Sequence, residues 1–152
     1  MKMIIKILNN KYLLLAGRIV LAFVFLYAAF FKISNPESFA QSISNYRLLP
    51  FPLINIFAIA IPWIEFVTAI LLLFGLAVRE NSLIISSLLL IFIFAIGISL
   101  IRGLNIDCGC FGTSAESKIG IQKILENIGL LILGLWLIIK DSVHFSLSHH
   151  KN

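Results

Sequence analysis

Residues 82–101 read SLIISSLLLIFIFAIGISLI, twenty positions without a charged side chain. At ~1.5 Å per residue this is ~30 Å of helix, the thickness of a bilayer's hydrocarbon core. In hydrocarbon each backbone polar group must be satisfied inside the structure, and a helix does this within one segment. The stretch is therefore expected to span a membrane, and it sets the scale for dividing the rest of the chain. Working outward, apolar runs at about 12–31 and 52–75 precede it and one at about 119–139 follows it. The 152 residues are 60% hydrophobic and 12% charged, with a mean hydropathy of +1.03. Those values place the chain in the membrane class and exclude an ordinary soluble globule. The expected fold is all-α, an integral membrane four-helix bundle forming a single domain over 1–152.

The segment between the first two spans is polar enough to leave the bilayer core. Asn35 and Pro36 suit the N-cap and first position of a helix, and Glu37 suits its positive end. Phe39, Ile43 and Tyr46 then recur at helical spacing. A short interfacial helix is expected here, ended by Pro50 and Pro52. Arg79 and Glu80 are expected in the turn between the second and third spans. Lys2, Lys6 and Lys11 resemble the basic start of a signal peptide, but no small-residue cleavage site follows cleanly, so an uncleaved anchor is expected.

The net charge of +5 comes from cations scattered at the ends of apolar runs, where they face lipid headgroups. No basic patch is interleaved with aromatics, so nucleic acid is excluded as a partner and the lipid bilayer is the first one. Four spans put both termini on one side and the loop at 102–118 on the other. Lys2, Lys6, Lys11, Arg79, Lys140 and Lys151 fall on the terminal side, against Arg47, Arg102, Lys118 and Lys123 opposite, with Lys32 at the border. This bias favours cytoplasmic termini and a loop on the periplasmic or extracellular side of a bacterial inner membrane.

That loop contains Asp107-Cys108-Gly109-Cys110-Phe111-Gly112, with both cysteines of the chain. Three residues of extended chain separate the two Cα atoms by roughly 7 Å. A modest bend at Gly109 brings them into the ~4.4–6.8 Å window of a disulfide. A ring that small is tense, hence easier to reduce and more oxidising. Redox exchange, metal binding and inert interfacial thiols all remain open at this level. His144, His149 and His150 lie in the tail across the membrane from the cysteines, so a joint Cys/His zinc site is not expected.

Charges within spans are expensive and point to function. Arg18 lies six residues into its span, roughly 9 Å from the terminal side, and Glu65 lies roughly 15 Å from that side on a helix running the other way. An Arg18–Glu65 pair or network is the expectation, against snorkelling of Arg18 and a protonated Glu65. Arg18 and Lys32 are close to four turns apart and share a face with Ala22, Phe25 and Ala29. Lys32, at the cysteine edge, would raise the thiolate fraction of Cys108 or Cys110 if near them; an interfacial anchor is the plainer reading.

Taken together, Arg18, Lys32 with Pro36 and Phe39, Tyr46, Pro62 with Glu65, Gly75 and the Cys108–Gly112 block resemble the MauE/DoxX family of four-helix membrane proteins, in particular its MauE-like, redox-associated branch. The resemblance runs from Arg18 to the fourth span. It implies thiol–disulfide exchange through Cys108 and Cys110, supported by Gly109, Phe111, Gly112, Lys32, Arg18 and Glu65. The partner implied is an exported thiol or disulfide protein. MauE proteins are associated with maturation of the disulfide-rich small subunit of methylamine dehydrogenase, and DoxX relatives suggest a membrane quinone as cofactor. This chain has one cysteine pair, whereas quinone-coupled disulfide generators of the four-helix type use two. Two readings follow: a membrane thiol–disulfide oxidoreductase, or a non-enzymatic subunit or scaffold of a larger, quinone-linked complex. Homo-oligomerisation is compatible with both.

Overall fold

The computed structural model describes residues 11–103 and 121–140 of the chain, and the described residues are helical apart from short turns. Five helices follow one another: α1 Lys11–Ser34, α2 Pro36–Asn45, α3 Phe51–Phe74, α4 Val78–Ile101 and α5 Ile121–Lys140. Three of them hold stretches long and apolar enough to cross a membrane, Tyr12–Ser34, Phe51–Phe74 and Val78–Ile101. The Cys108–Gly112 block lies outside the described residues.

The long helices pack as neighbours, α1 mainly against α3, α4 mainly against α5, and α1 also against α5. Their common core takes Leu21 and Phe25 from α1, Leu72 from α3, Ile85 and Leu89 from α4 and Leu137 from α5. Close approach of α1 to α5 depends on Gly17, and that of α5 to α4 on Gly134. A methyl at Gly17 would stand 2.9 Å from the Trp136 ring, and one at Gly134 would collide with Ser86 Oγ. Small residues of this kind let helices meet where lipid removes the hydrophobic drive for association. Large apolar side chains such as Phe23, Phe94 and Ile132 point outward, with Phe94 70% exposed. A surface of that kind matches a hydrocarbon surrounding and not water.

Several boundaries differ from the sequence reading. Helix α4 begins at Val78, so Arg79 and Glu80 belong to its first turn rather than to the preceding turn. The reversal is made by Gly75 at φ 72 and Ala77 at φ 44. Leu76 N–H bonds the Leu71 carbonyl at 2.9 Å and Gly75 N–H that of Leu72 at 3.1 Å, the double closure of a Schellman end. Asn81 then reaches back with Nδ2 to the carbonyls of Leu76 at 2.8 Å and Ala77 at 3.0 Å.

Helix α2 starts as expected, with Asn35 at the N-cap position, Pro36 behind it and Glu37 in the first turn, although Asn35 makes no side-chain capping bond. Its end is earlier than the prolines. The chain turns at Arg47, φ 50, and Pro50 serves instead as the residue before α3. Phe39 and Tyr46 are buried, which fixes the inner face of α2 against α3 and α1.

Candidate functional site

Glu65 sits inside α3, three residues after Pro62, a proline within the helix. Proline lacks the N–H that would bond the carbonyl four residues back, so the backbone ladder is already interrupted one turn from the carboxylate. Thr68 restores polar contacts on the other side, its hydroxyl donating to the carbonyls of Ile64 at 2.7 Å and Glu65 at 3.1 Å.

The partner of Glu65 is Lys32. Its Nζ donates to both carboxylate oxygens, each at 2.8 Å, and the two side chains are only 3% and 1% exposed. The ammonium also stands 5.0 Å from the centroid of the Phe39 ring and 4.8 Å from that of Phe92. Phe25, Ala28, Leu89 and Asn127 complete the lining. The void among them is about 10 Å³, no more than the room of a single water. One ammonium is thus held by a bidentate carboxylate and two aromatic faces, with four helices and α2 contributing. A charge pair this deep keeps its geometry because every alternative strips a charge of its partner.

This arrangement corrects the expected Arg18–Glu65 pair. Depth was judged from Cα positions, but side chains on a helix lean toward its N-terminus. On antiparallel α1 and α3, Lys32 leans inward toward the middle while Glu65 leans toward the end that carries Lys32. Arg18 leans the opposite way, away from Glu65. Lys32 is also not an interfacial anchor, since its ammonium is turned into the protein.

Arg18 shares the buried face of α1 with Ala22, Phe25, Ala29 and Lys32, and is 4% exposed. Its Nε and Nη1 have no hydrogen-bond partner among the described residues. Sequence reasoning missed Phe92 and Asn127 as neighbours of the pair. Phe92 lies in a run of apolar residues that gives no local signal, and its role follows only from packing. Asn127, a polar residue in an apolar helix, did carry a signal.

The stretch 104–120 connects the end of α4 to the start of α5. Phe92 lies nine residues from Ile101 and Asn127 six from Ile121. The ion pair therefore sits ~9–14 Å below the anchor points of the cysteine-bearing connection. Beside the pair, α2, α3 and α4 enclose an apolar cavity of about 450 Å³ that includes Tyr46, Phe57, Ile64 and Phe92. Phe92 is common to the cavity and the ammonium cage.

Among the described residues there is no cluster of three metal-ligating side chains. The family described as "Methylamine utilisation protein MauE" matches residues 10–140. The chain belongs to the MauE family. The matched region takes in Arg18, Lys32, Glu65, Cys108 and Cys110. It is 32% identical to the methylamine utilization protein MauE of Paracoccus denitrificans over 79% of this chain and 65% of that protein. The MauE of Methylophilus methylotrophus is 31% identical over 84% of this chain and 68% of that protein. The MauE of Methylorubrum extorquens is 32% identical over 69% of this chain and 57% of that protein. The chain thus spans at most 68% of the length of these relatives. No solved structure is similar to it.

Proposed function

We propose that this MauE-family protein is a four-span inner-membrane protein that exchanges a disulfide between Cys108 and Cys110 and an exported thiol protein. The observation that carries the proposal is the place of the single cysteine pair in a family-matched chain. Both thiols lie in the one stretch of sequence that joins α4 to α5. In this reading α5 is the fourth span, α2 lies at the interface, both termini are cytoplasmic, and the cysteines face the oxidising side. The relatives' name supports methylamine utilisation as the process served.

The exchange is a sequence of two thiolate attacks. A partner thiolate attacks one sulfur of the Cys108–Cys110 disulfide, forming a mixed disulfide and releasing the other sulfur as thiolate. The partner's second thiolate then displaces the first cysteine, leaving the partner oxidised and both loop cysteines reduced. The two electrons and two protons so gained pass to an acceptor of the quinone class, which restores the disulfide as quinol forms. Lys32 is a positioning residue here: it locks α1 to α3 through Glu65. Arg102, exposed at the end of α4, is the cation nearer the cysteines along the chain.

Burial of the Lys32 ammonium on Glu65 favours a second reading, a non-enzymatic subunit, because that charge is withdrawn from thiol activation. A redox titration separates the two. An exchanging pair has a potential well above the roughly −300 mV of structural disulfides. In native membranes, Cys108→Ser or Cys110→Ser should trap a mixed disulfide with the exported partner while the helices stay assembled. Thiols that remain reduced in native membranes, or function that survives both substitutions, overturns the exchange.

A further inference from the structure

Hydroxyls on helices commonly return to the carbonyl one turn back. Ser34, Ser42, Thr68, Ser87 and Ser99 all do so, at 2.7–3.0 Å. Ser82 and Ser86 do not: both Oγ atoms are buried without a hydrogen-bond partner. Arg18 Nε and Nη1 and Trp136 Nε1 are in the same condition, and among the described residues no other buried side-chain nitrogen or oxygen lacks a partner. Native interiors leave few such groups unpaired, so each requires a physical reason.

The unpaired atoms belong to one level of the protein. Gly17 abuts the Trp136 ring, and Gly134 abuts Ser86 and Leu21. Arg18 lies between Gly17 and Leu21 on α1, and Ser82 lies one turn from Ser86 on α4. Arg18, Ser82 and Ser86 are 4%, 0% and 3% exposed. All four side chains stand ~6–12 Å inside the end at which α1 begins and α5 finishes. That is close to headgroup depth, and the arginine leans further outward.

Their chemistry is one-sided. A guanidinium and an indole N–H only donate, and a serine hydroxyl donates readily. Glu65 is fully engaged by Lys32. At this end Arg79 and Lys140 add positive charge, and Glu80 is the only carboxylate among the described residues there and is exposed. Donors carried by three helices at one depth suit a tetrahedral oxyanion better than a planar one, and arginine recognises phosphate by parallel N–H bonds. Basic recesses between membrane helices on this side commonly take anionic headgroups.

We infer that Arg18, Ser82, Ser86 and Trp136 form a site for a phosphate-class oxyanion, supplied by an anionic lipid headgroup or by free phosphate. The site is separate from the cysteine loop and the Lys32–Glu65 pair, and stands whether or not the exchange reading holds.

The test uses the full chain purified in an uncharged detergent and reads thermal unfolding. Short-chain phosphatidylglycerol, phosphatidylcholine with the same chains and inorganic phosphate are titrated in turn. Phosphatidylglycerol should raise Tm and phosphatidylcholine should not; a matching rise with inorganic phosphate assigns the site to the free anion. Arg18→Gln should weaken binding about tenfold or more, the loss expected for charge-assisted hydrogen bonds. Ser82→Ala/Ser86→Ala removes two donors at nearly constant volume, so it folds and should weaken binding about threefold to tenfold. Arg47→Gln, which removes an exposed cation at the opposite end, should leave affinity unchanged. Wild-type affinity in the serine variant, an equal loss in Arg47→Gln, or no response to either anion overturns the site. So does an Asp141→Asn variant that is destabilised as Arg18→Gln is, non-additively with it, because the chain would then supply its own anion.

Discussion

Lys32 and Arg18 are two cations on one buried face of α1, yet they meet opposite environments. Lys32 is neutralised by both oxygens of Glu65 and covered by two phenyl rings. Arg18 is equally buried, but two of its nitrogens are unpartnered among the described residues. Both environments follow from the same lean of side chains toward the helix N-terminus. That lean carries Lys32 into the protein, where a carboxylate on an antiparallel helix leans to meet it. It carries Arg18 outward to the bundle's end, where the membrane surface can supply an anion. Position on a helix therefore fixes the depth of a Cα, while chain direction fixes which partner a long side chain can reach.

The strongest way to break this contrast is to remove one half of the paired site. Glu65→Gln leaves the Lys32 ammonium without a counter-charge and should destabilise the protein by ~3–5 kcal/mol. Lys32→Met should cost a similar amount, and the double variant much less than the sum. Detergent unfolding of the two single variants and the double variant measures the coupling. In contrast, Arg18→Gln combined with Glu65→Gln should be additive within ~0.5 kcal/mol. Strong coupling there would restore the Arg18–Glu65 contact that the geometry rejects.

A second prediction concerns the cover of the paired site. Burial raises Tyr46, at the end of α2, from its ordinary value of 10.0 to about 12. A hydroxyl with a raised folded pKa stabilises below its unfolded pKa and loses that contribution as pH rises through the folded one. Stability should therefore fall by up to ~3 kcal/mol between about pH 10 and 12. Tyr46→Phe should flatten that fall, read as Tm against pH, if α2 stays docked; an unchanged slope removes Tyr46 as its origin.

Smaller effects sharpen the comparison. Phe39→Leu keeps most of the apolar volume but takes one aromatic face from the ammonium, for an expected ~0.5–2 kcal/mol. The same loss in a Lys32→Met background would show that packing, not the cation, was responsible. Smallest is Ala77→Gly, in the turn before α4. It relieves a left-handed conformation worth ~1–2 kcal/mol and gives back part of that in unfolded-chain entropy. A gain of ~0.5 kcal/mol in unfolding free energy is expected, and a clear loss would place the strain elsewhere.

The charge-free run at 82–101, the shared face of Arg18 and Lys32, and the Asn35-Pro36 helix start were all legible, because each rests on local spacing. Helix ends were less so. The turn before α4 depends on Gly75, on a left-handed Ala77 and on Asn81 reaching back, and alanine announces no such conformation. The charged residues of the site could be named from the cost of burying them in lipid. Their pairing could not be read from spacing alone, since it depends on helix direction and on the reach of long side chains. Phe92 was invisible for a different reason: one phenylalanine in an apolar run looks like any other until a cation is placed against it. The unpaired hydroxyls of Ser82 and Ser86 were similarly hidden, because a sequence does not reveal which hydroxyls bond their own helix.

The bidentate contact of Lys32 with Glu65 joins positions 33 residues apart, across the first helical hairpin of the chain. Alone, each of α1 and α3 would bring an unneutralised charge into hydrocarbon, at ~2.5–3.5 kcal/mol by translocon scales. Entering together, with α2 folded over the junction, they bring a neutral pair. Biogenesis would then proceed by hairpins rather than by single segments. Ribosome-bound chains long enough for Glu65 to have left the exit tunnel would be the first ones able to hold α1 stably in the bilayer.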